Sequence, residues 1–175
     1  MVGNSGISVR KLQRSEASTY CEFRIYALKT FPTAFTTTAA EAEALPAQAY
    51  EQRIERQGDR RHFIVGVFDN GRLIGTAAVF GQPLLAESHK ANLVGMAVHE
   101  DFQGRGIGRL IVEGVLAVAR AIPEIRQIIL HVTKGNIAAE RFYRSAGFET
   151  FGIEPRATIV DGVAYDEYLM IKLFD

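Results

Sequence analysis

The sequence predicts a mixed α/β (α+β) fold, with one mixed central sheet carrying helices on both faces. Three observations predict it. Two β-rich runs, His62–Phe68 and Arg72–Phe80, are hinged on Asp69-Asn70-Gly71, and an Asn-Gly pair between such runs is a strong hairpin signal. Helical apolar periodicity marks the stretches before that hairpin and after Val98. Further strands then alternate with helices to the end of the chain, and layering helices on a sheet buries both kinds of face.

The elements follow in chain order. Ile7–Leu12 reads as a short first strand. Ser15 is placed to cap a helix, with Glu16 in its first turn complementing the dipole. Ala17, Tyr20, Cys21, Arg24, Ala27, Leu28 and Phe31 recur at helical spacing, with Arg24 the one polar break, and Pro32 stops the helix. An alanine-rich helix is expected over about Pro46–Arg56. After the hairpin, a loop through Gln82 and Pro83 leads to a strand over Lys90–Val98. A helix opens at Gly104 with the stripe Ile107, Leu110, Ile111, Gly114, Val115 and Val118, and Pro123 breaks it. Gln127–Val132 is a buried-strand candidate. Asn136–Ala146 is a short helix ended by Gly147. Phe148–Ile153 and Tyr165–Leu173 close the chain as strands, with Asp161-Gly162 as a turn. The order is βαα-βββ-α-β-α-ββ.

Bulk properties narrow the function classes. The 175 residues fit a single domain spanning 1–175, and no Pro/Gly/Ser linker divides them. The formal net charge is zero, whereas a nucleic-acid binder usually carries a basic excess, so no nucleic-acid partner is expected. Cys21 is the one cysteine, which excludes an internal disulfide and fits a reducing compartment. Met1–Gly6 lacks an apolar signal core, and no apolar run is long enough for a bilayer. The expected protein is cytoplasmic, without a membrane partner. The histidines His62, His89, His99 and His131 lack ligand spacing, so no metal is expected.

The chemistry concentrates in Gln103-Gly104-Arg105-Gly106-Ile107-Gly108, which follows a strand and opens a helix. The first amides of a helix lack internal acceptors, and the dipole adds positive potential there. Glycine lets a phosphate approach the backbone, and Arg105 and Arg109 add charge. A triphosphate loop needs Lys-Ser/Thr after its last glycine, but Arg109-Leu110 follows Gly108. A dinucleotide fingerprint counted from Gly104 needs glycine where Arg109 stands. A plain glycine turn into a helix remains the alternative for the loop alone.

A second motif follows. Asn136-Ile137-Ala138-Ala139-Glu140-Arg141-Phe142-Tyr143 precedes Gly147-Phe148. Together the two resemble the signatures of the GNAT superfamily of acetyl-CoA-dependent N-acetyltransferases, Gln/Arg-x-x-Gly-x-Gly/Ala followed by Asn-x-x-Ala-x-x-x-Tyr-x-x-x-Gly-Phe. The resemblance covers Leu93–Phe151 closely and the rest by element order. It implies a splayed sheet in which Lys90–Val98 carries a bulge and parts from Gln127–Val132. It implies that the pantetheine arm of acetyl-CoA lies in that gap beside Met96, Ala97 and Val98, with the diphosphate on Gln103, Gly104, Arg105, Gly106, Ile107, Gly108 and Arg109. Ala139 and Asn136 join the cofactor-binding set, Asn136 either bonding a pantetheine amide or capping its helix.

By the same resemblance, Tyr143 is the acid that protonates the leaving thiolate, since a phenol with a pKa of about 10 holds its proton at neutral pH. A backbone N–H near Met96 or Ala97 would stabilise the tetrahedral oxyanion. The bland alternative makes Tyr143 a core aromatic on the stripe Ala139, Phe142, Ala146. Some relatives place a glutamate on the bulged strand four residues before the Met96 position, where this chain has Asn92. Glu87, His131, His99 and Asp166 are conceivable relays, and none is preferred. Phe31, Pro32 and Phe35 lie where a wall of the acceptor site is expected. The expected activity is acetylation of a primary amine on a small molecule or peptide, by a monomer or homodimer. The alternatives are a protein N-terminal acetyltransferase, a non-catalytic acyl-CoA-binding module and, more remotely, a nucleotide-binding protein.

Overall fold

A computed structural model of the chain describes residues 6–56, 58–160 and 162–174. Most of Met1–Gly6, read above as lacking a signal core, and Asp161 of the expected turn lie outside the described residues. A seven-stranded mixed sheet runs in the order β1-β2-β3-β4-β5-β7-β6. Its strands are β1 (Ile7–Lys11), β2 (Phe63–Asp69), β3 (Arg72–Gly81), β4 (Lys90–Val98), β5 (Gln127–Thr133), β6 (Glu149–Val160) and β7 (Val163–Leu173). All neighbours are antiparallel except β4 and β5. The helices are α1 (Ala17–Thr30), α2 (Ala39–Glu43), α3 (Ala47–Ile54), α4 (Ile107–Arg120) and α5 (Ile137–Ser145).

Alternation along β2 builds the two layers. Phe63, Val65 and Val67 face the core shared with α4, while Ile64 and Phe68 face Tyr20, Phe23 and Ala27 of α1 and Tyr50 and Ile54 of α3. Successive strand side chains point to opposite faces, so one strand buried on both sides serves both cores. The hairpin turn is as expected: Asn70 and Gly71 both have positive φ, 47° and 84°, as a primed turn requires. Among the described residues, no helix is long and apolar enough to cross a membrane.

Several boundaries differ from the sequence reading. The turn before α1 begins after Gln13, whose N–H donates to Glu16 Oε2 at 2.8 Å, so Ser15 is not the cap. A separate α2 precedes α3 because Thr38 and Glu41 form a reciprocal cap: the Thr38 N–H donates to the Glu41 carboxylate at 2.7 Å, and the Glu41 N–H to Thr38 Oγ1 at 3.2 Å. Cys21 is only half-buried, and Phe23 enters the core instead. Helix α4 starts at Ile107 because Gly104 and Gly106 have positive φ. Its buried face is Ile107, Ile111, Val112, Val115, Leu116 and Ala119. Gly114 lets α4 approach the sheet, since a Cβ there would meet Val9 Cγ1 at 2.7 Å.

Ile111 is fully buried in that face. Ile111→Val is expected to cost about 1 kcal/mol through lost packing, read as a lower urea midpoint with unchanged slope. Leu85→Ala, at a position 91% exposed, should shift stability by less than about 0.5 kcal/mol.

Candidate active site

The sheet opens at its centre. Strands β4 and β5 pair only where Lys90, Ala91 and Asn92 meet Gln127, Ile128 and Ile129. Beyond Asn92, β4 runs on to Val98 with no described pairing to β5. On its other side, Thr76 lies opposite Ala97 and Ala78 opposite Val94. Gly95 and Met96 therefore share the place opposite Ala77, which is a bulge in β4. Gly95 has φ 63°, a conformation open to glycine at little cost. The gap between β4 and β5 thus has one bent wall whose backbone is free to pair with something inserted.

One cavity, about 870 Å³, runs from the end of β4 over the glycine loop to α5. Met96, Ala97, Val98, Gln103, Gly104, Gly106, Ile107, Gly108, Arg109 and Ala139 all line it. Gly104 and Gly106 have φ of 71° and 81°, and a Cβ on either would point into open space. The loop is therefore uncovered over the first amides of α4, which have no carbonyl one turn back to bond. That is a cradle suited to a diphosphate. Arg109 reaches along its helix to Glu113 at 2.8 Å. Two expected members are not in the lining. Arg105 lies over the Phe102 ring at 5.3 Å. Asn136 caps α5, its Oδ1 accepting from the Ala139 N–H at 3.1 Å.

A second cavity of about 450 Å³ reaches the same bulge and is lined by Arg24, Phe35, Asn92, Gly95, His131 and Glu167, among others. Met96 and Tyr143 line both cavities. Tyr143 projects from α5, packs edge-on against Phe142 and Phe148, and donates its hydroxyl to Met96 Sδ at 3.2 Å. Burial disfavours the phenolate and pushes its pKa up to about 12. So a protonated hydroxyl already aimed at a sulfur stands where the two cavities meet. Of the expected wall, Phe35 lines both cavities, Phe31 only the larger, and Pro32 neither.

The four candidate relays separate. Glu87 pairs with Lys90 at 3.0 Å. His99 stacks on Tyr26 and bonds Arg72 through Nε2 at 2.8 Å. Asp166 accepts from the Arg156 N–H at 3.0 Å and sits near Lys134; the backbone bond holds its carboxyl below the usual range. Of the four, only His131 lines the smaller cavity. Its Nδ1 lies 3.1 Å from Oε2 of buried Glu167 and 3.7 Å from Oε2 of Glu154. The ligand atoms of these three groups lie within 4.8 Å of one another, a cluster that linear spacing does not reveal.

Glu167 and Gly95 were absent from the sequence candidates. A carboxylate two residues from apolar Leu169, on the same face of β7, is the signal that could have marked Glu167. An isolated glycine inside a strand is the usual mark of a bulge.

Similarities to known proteins fall on this geometry. The profile of the acetyltransferase (GNAT) family matches residues 25–148. The N-alpha-acetyltransferase RimI of Mycobacterium tuberculosis is 34% identical over 110 residues, covering 61% of this chain and 63% of RimI. The chain thus spans less than two thirds of that curated relative's length. A GNAT-family acetyltransferase of Streptococcus pneumoniae superposes with a TM-score of 0.87 at 21% identity, covering 96% of this chain and 99% of that one. YncA of Salmonella typhimurium, solved with its cofactor acetyl-CoA, gives 0.82 at 17% identity, covering 97% and 95%. At those identities the structural likeness establishes the fold.

Proposed function

The chain belongs to the acetyltransferase (GNAT) family, whose donor is acetyl-CoA, and from that premise we propose that it acetylates a primary amine of a small molecule or peptide. The transfer is direct, within a ternary complex, by a single domain spanning 1–175. The observation that carries this reading is Tyr143, protonated and aimed at the sulfur of Met96 where the two cavities meet.

In this mechanism the larger cavity holds the donor. The N-terminal amides of α4 bind its diphosphate, and the free edge of β4 pairs with the pantetheine arm as an added strand would. The thioester reaches the bulge, and the amine enters through the smaller cavity. The amine nitrogen attacks the thioester carbon, forming the C–N bond. A β4 backbone N–H near Met96 or Ala97 stabilises the oxyanion. The C–S bond then breaks, and Tyr143 gives its proton to the departing thiolate. The surplus proton on nitrogen passes to Nε2 of His131, and Glu167 at Nδ1 holds that tautomer and stabilises the imidazolium. Solvent carries the proton from His131 back to the phenolate, which closes the cycle. Asn92 stands where a glutamate is found in some relatives, and the His131–Glu167 pair supplies the proton acceptor that Asn92 cannot.

His131→Gln is expected to lower kcat by about 10–100-fold, roughly 1.4–2.8 kcal/mol of barrier, with acetyl-CoA affinity unchanged. An unaltered kcat would assign the proton to water alone. The reading as a whole is tested by following thiol release from acetyl-CoA against a library of amines. Amine-dependent turnover with intersecting double-reciprocal lines is expected. Tight acetyl-CoA binding with no turnover on any amine would favour a non-catalytic acyl-CoA module. The identity to RimI favours one second reading, in which the acceptor is a protein N-terminus.

A further inference from the structure

We propose that the acceptor carries a carboxylate beside its amine, as a free α-amino acid does, and that Arg24 is the residue that binds it. This rests on the acetyl-transfer reading and names the acceptor class for the same site.

Arg24 is the polar break in the apolar stripe of α1, and it is only 7% exposed. Its Nε and Nη1 are buried with no hydrogen-bond partner among the described residues. A buried guanidinium without a countercharge is one of the costliest arrangements a protein can keep, which points to a partner that arrives from outside. The Phe35 ring covers one face of the guanidinium at 4.6 Å. That leaves the in-plane N–H donors for a planar oxyanion, the geometry in which arginine binds carboxylates.

Its place fits an acceptor. Arg24 lines the smaller cavity, and its Nη1 would lie 3.3 Å from a Cβ built on Gly95. It therefore abuts the β4 bulge, one residue from Met96 and the Tyr143 hydroxyl. The cavity is also polarised. Arg24 and Arg53 line one part of it, and Glu167, the one acidic residue in its lining among the described residues, is bonded to His131. A zwitterion complements both parts, with its carboxylate on Arg24 and its amine toward His131 and Glu167. At a protein N-terminus the corresponding carbonyl is a neutral amide and would leave Arg24 without a countercharge.

The test pairs each standard L-amino acid with its α-carboxamide. Thiol release is followed at saturating acetyl-CoA, and each compound is also titrated calorimetrically into the protein saturated with coenzyme A. The carboxamide amine loses its proton more readily, so intrinsic reactivity works against the expected preference. For the best acceptor, kcat/KM is expected to favour the acid at least tenfold. Arg24→Met should abolish that preference, mainly through KM, while keeping acetyl-CoA affinity, and Arg24→Lys should restore part of it. Equal or better use of the carboxamide in every pair that turns over, or a preference that survives Arg24→Met, would overturn the assignment while leaving acetyl transfer intact. If no amine turns over, acetyl transfer fails, and the calorimetry decides alone. Tenfold tighter binding of an acid than of its amide upholds Arg24, and equal or absent binding overturns it.

Discussion

Gly106→Asp is expected to weaken acetyl-CoA binding by about 100-fold or more, roughly 2.8 kcal/mol. Gly106 has φ 81° and caps α4. Any side chain there is strained by about 1–2 kcal/mol, although aspartate tolerates the left-handed region better than most residues. The larger effect is charge. Aspartate is a favoured helix cap, so its carboxylate would occupy the amide cradle and face the incoming diphosphate. Two unit charges about 5 Å apart, at an effective dielectric near 20, repel by about 3 kcal/mol. Gly106→Ala separates the two contributions, since it carries the strain without the charge and should cost less than about tenfold. Calorimetric titration of each variant with acetyl-CoA, beside a thermal melt, makes the check. Unchanged affinity in folded Gly106→Asp would mean that the phosphates bind elsewhere.

Tyr143→Phe is expected to lower kcat by at least tenfold, and by about 100-fold if the phenol supplies a general acid's usual share. Acetyl-CoA affinity should hold within about twofold, because the ring and its packing on Phe142 and Phe148 remain. The same assignment fixes a pH dependence. Desolvation disfavours the phenolate, so Tyr143 keeps its proton up to about 12 instead of losing it near the ordinary value of about 10. Activity should rise from acid as the amine deprotonates, then stay level through pH 10. A fall centred near pH 10 that disappears in Tyr143→Phe would contradict the burial-raised acid. A kcat unchanged in the variant would remove Tyr143 from the chemistry.

What the sequence made legible was local. The Asn70-Gly71 turn, the glycine loop and the cap at Asn136 each carry their geometry in two or three adjacent residues. The capping box at Thr38-x-x-Glu41 is equally local and marks α2, a helix separate from the one expected over Pro46–Arg56. The first cap was misplaced because Ser15 has the better capping chemistry, whereas the chain turns at Gln13 under the pull of Glu16. The stripe of α4 was half right. Leu110 and Val118 lie at its margin, while Val112, Leu116 and Ala119 fill the seam, since only the docked sheet decides which side of an apolar helix is buried.

The candidate site was legible on its proposed donor side and hidden on its proposed acceptor side. The loop glycines and Tyr143 lie within two motifs of fixed spacing, and Met96 lies on the strand that leads into the first. His131 and Glu167 are 36 residues apart and meet only because β7 returns beside β5. Arg24 was visible as a polar break in an apolar stripe, yet only the docking of α1 against Gly95 and Phe35 shows that it faces a cavity with its Nε and Nη1 unpartnered among the described residues. Cofactor sites recur as short patterns, whereas an acceptor pocket is assembled from long-range strand pairing and helix docking.

The most direct test is a crystal structure of the protein with acetyl-CoA bound. The diphosphate oxygens should accept from the backbone amides at the start of α4, with the pantetheine arm along β4 beyond Asn92. The thioester sulfur should lie within hydrogen-bond reach of the Tyr143 hydroxyl, its carbonyl toward the bulge at Gly95–Met96. A diphosphate away from Gly104–Arg109, or a thioester out of reach of a Tyr143 still bonded to Met96, would contradict the account.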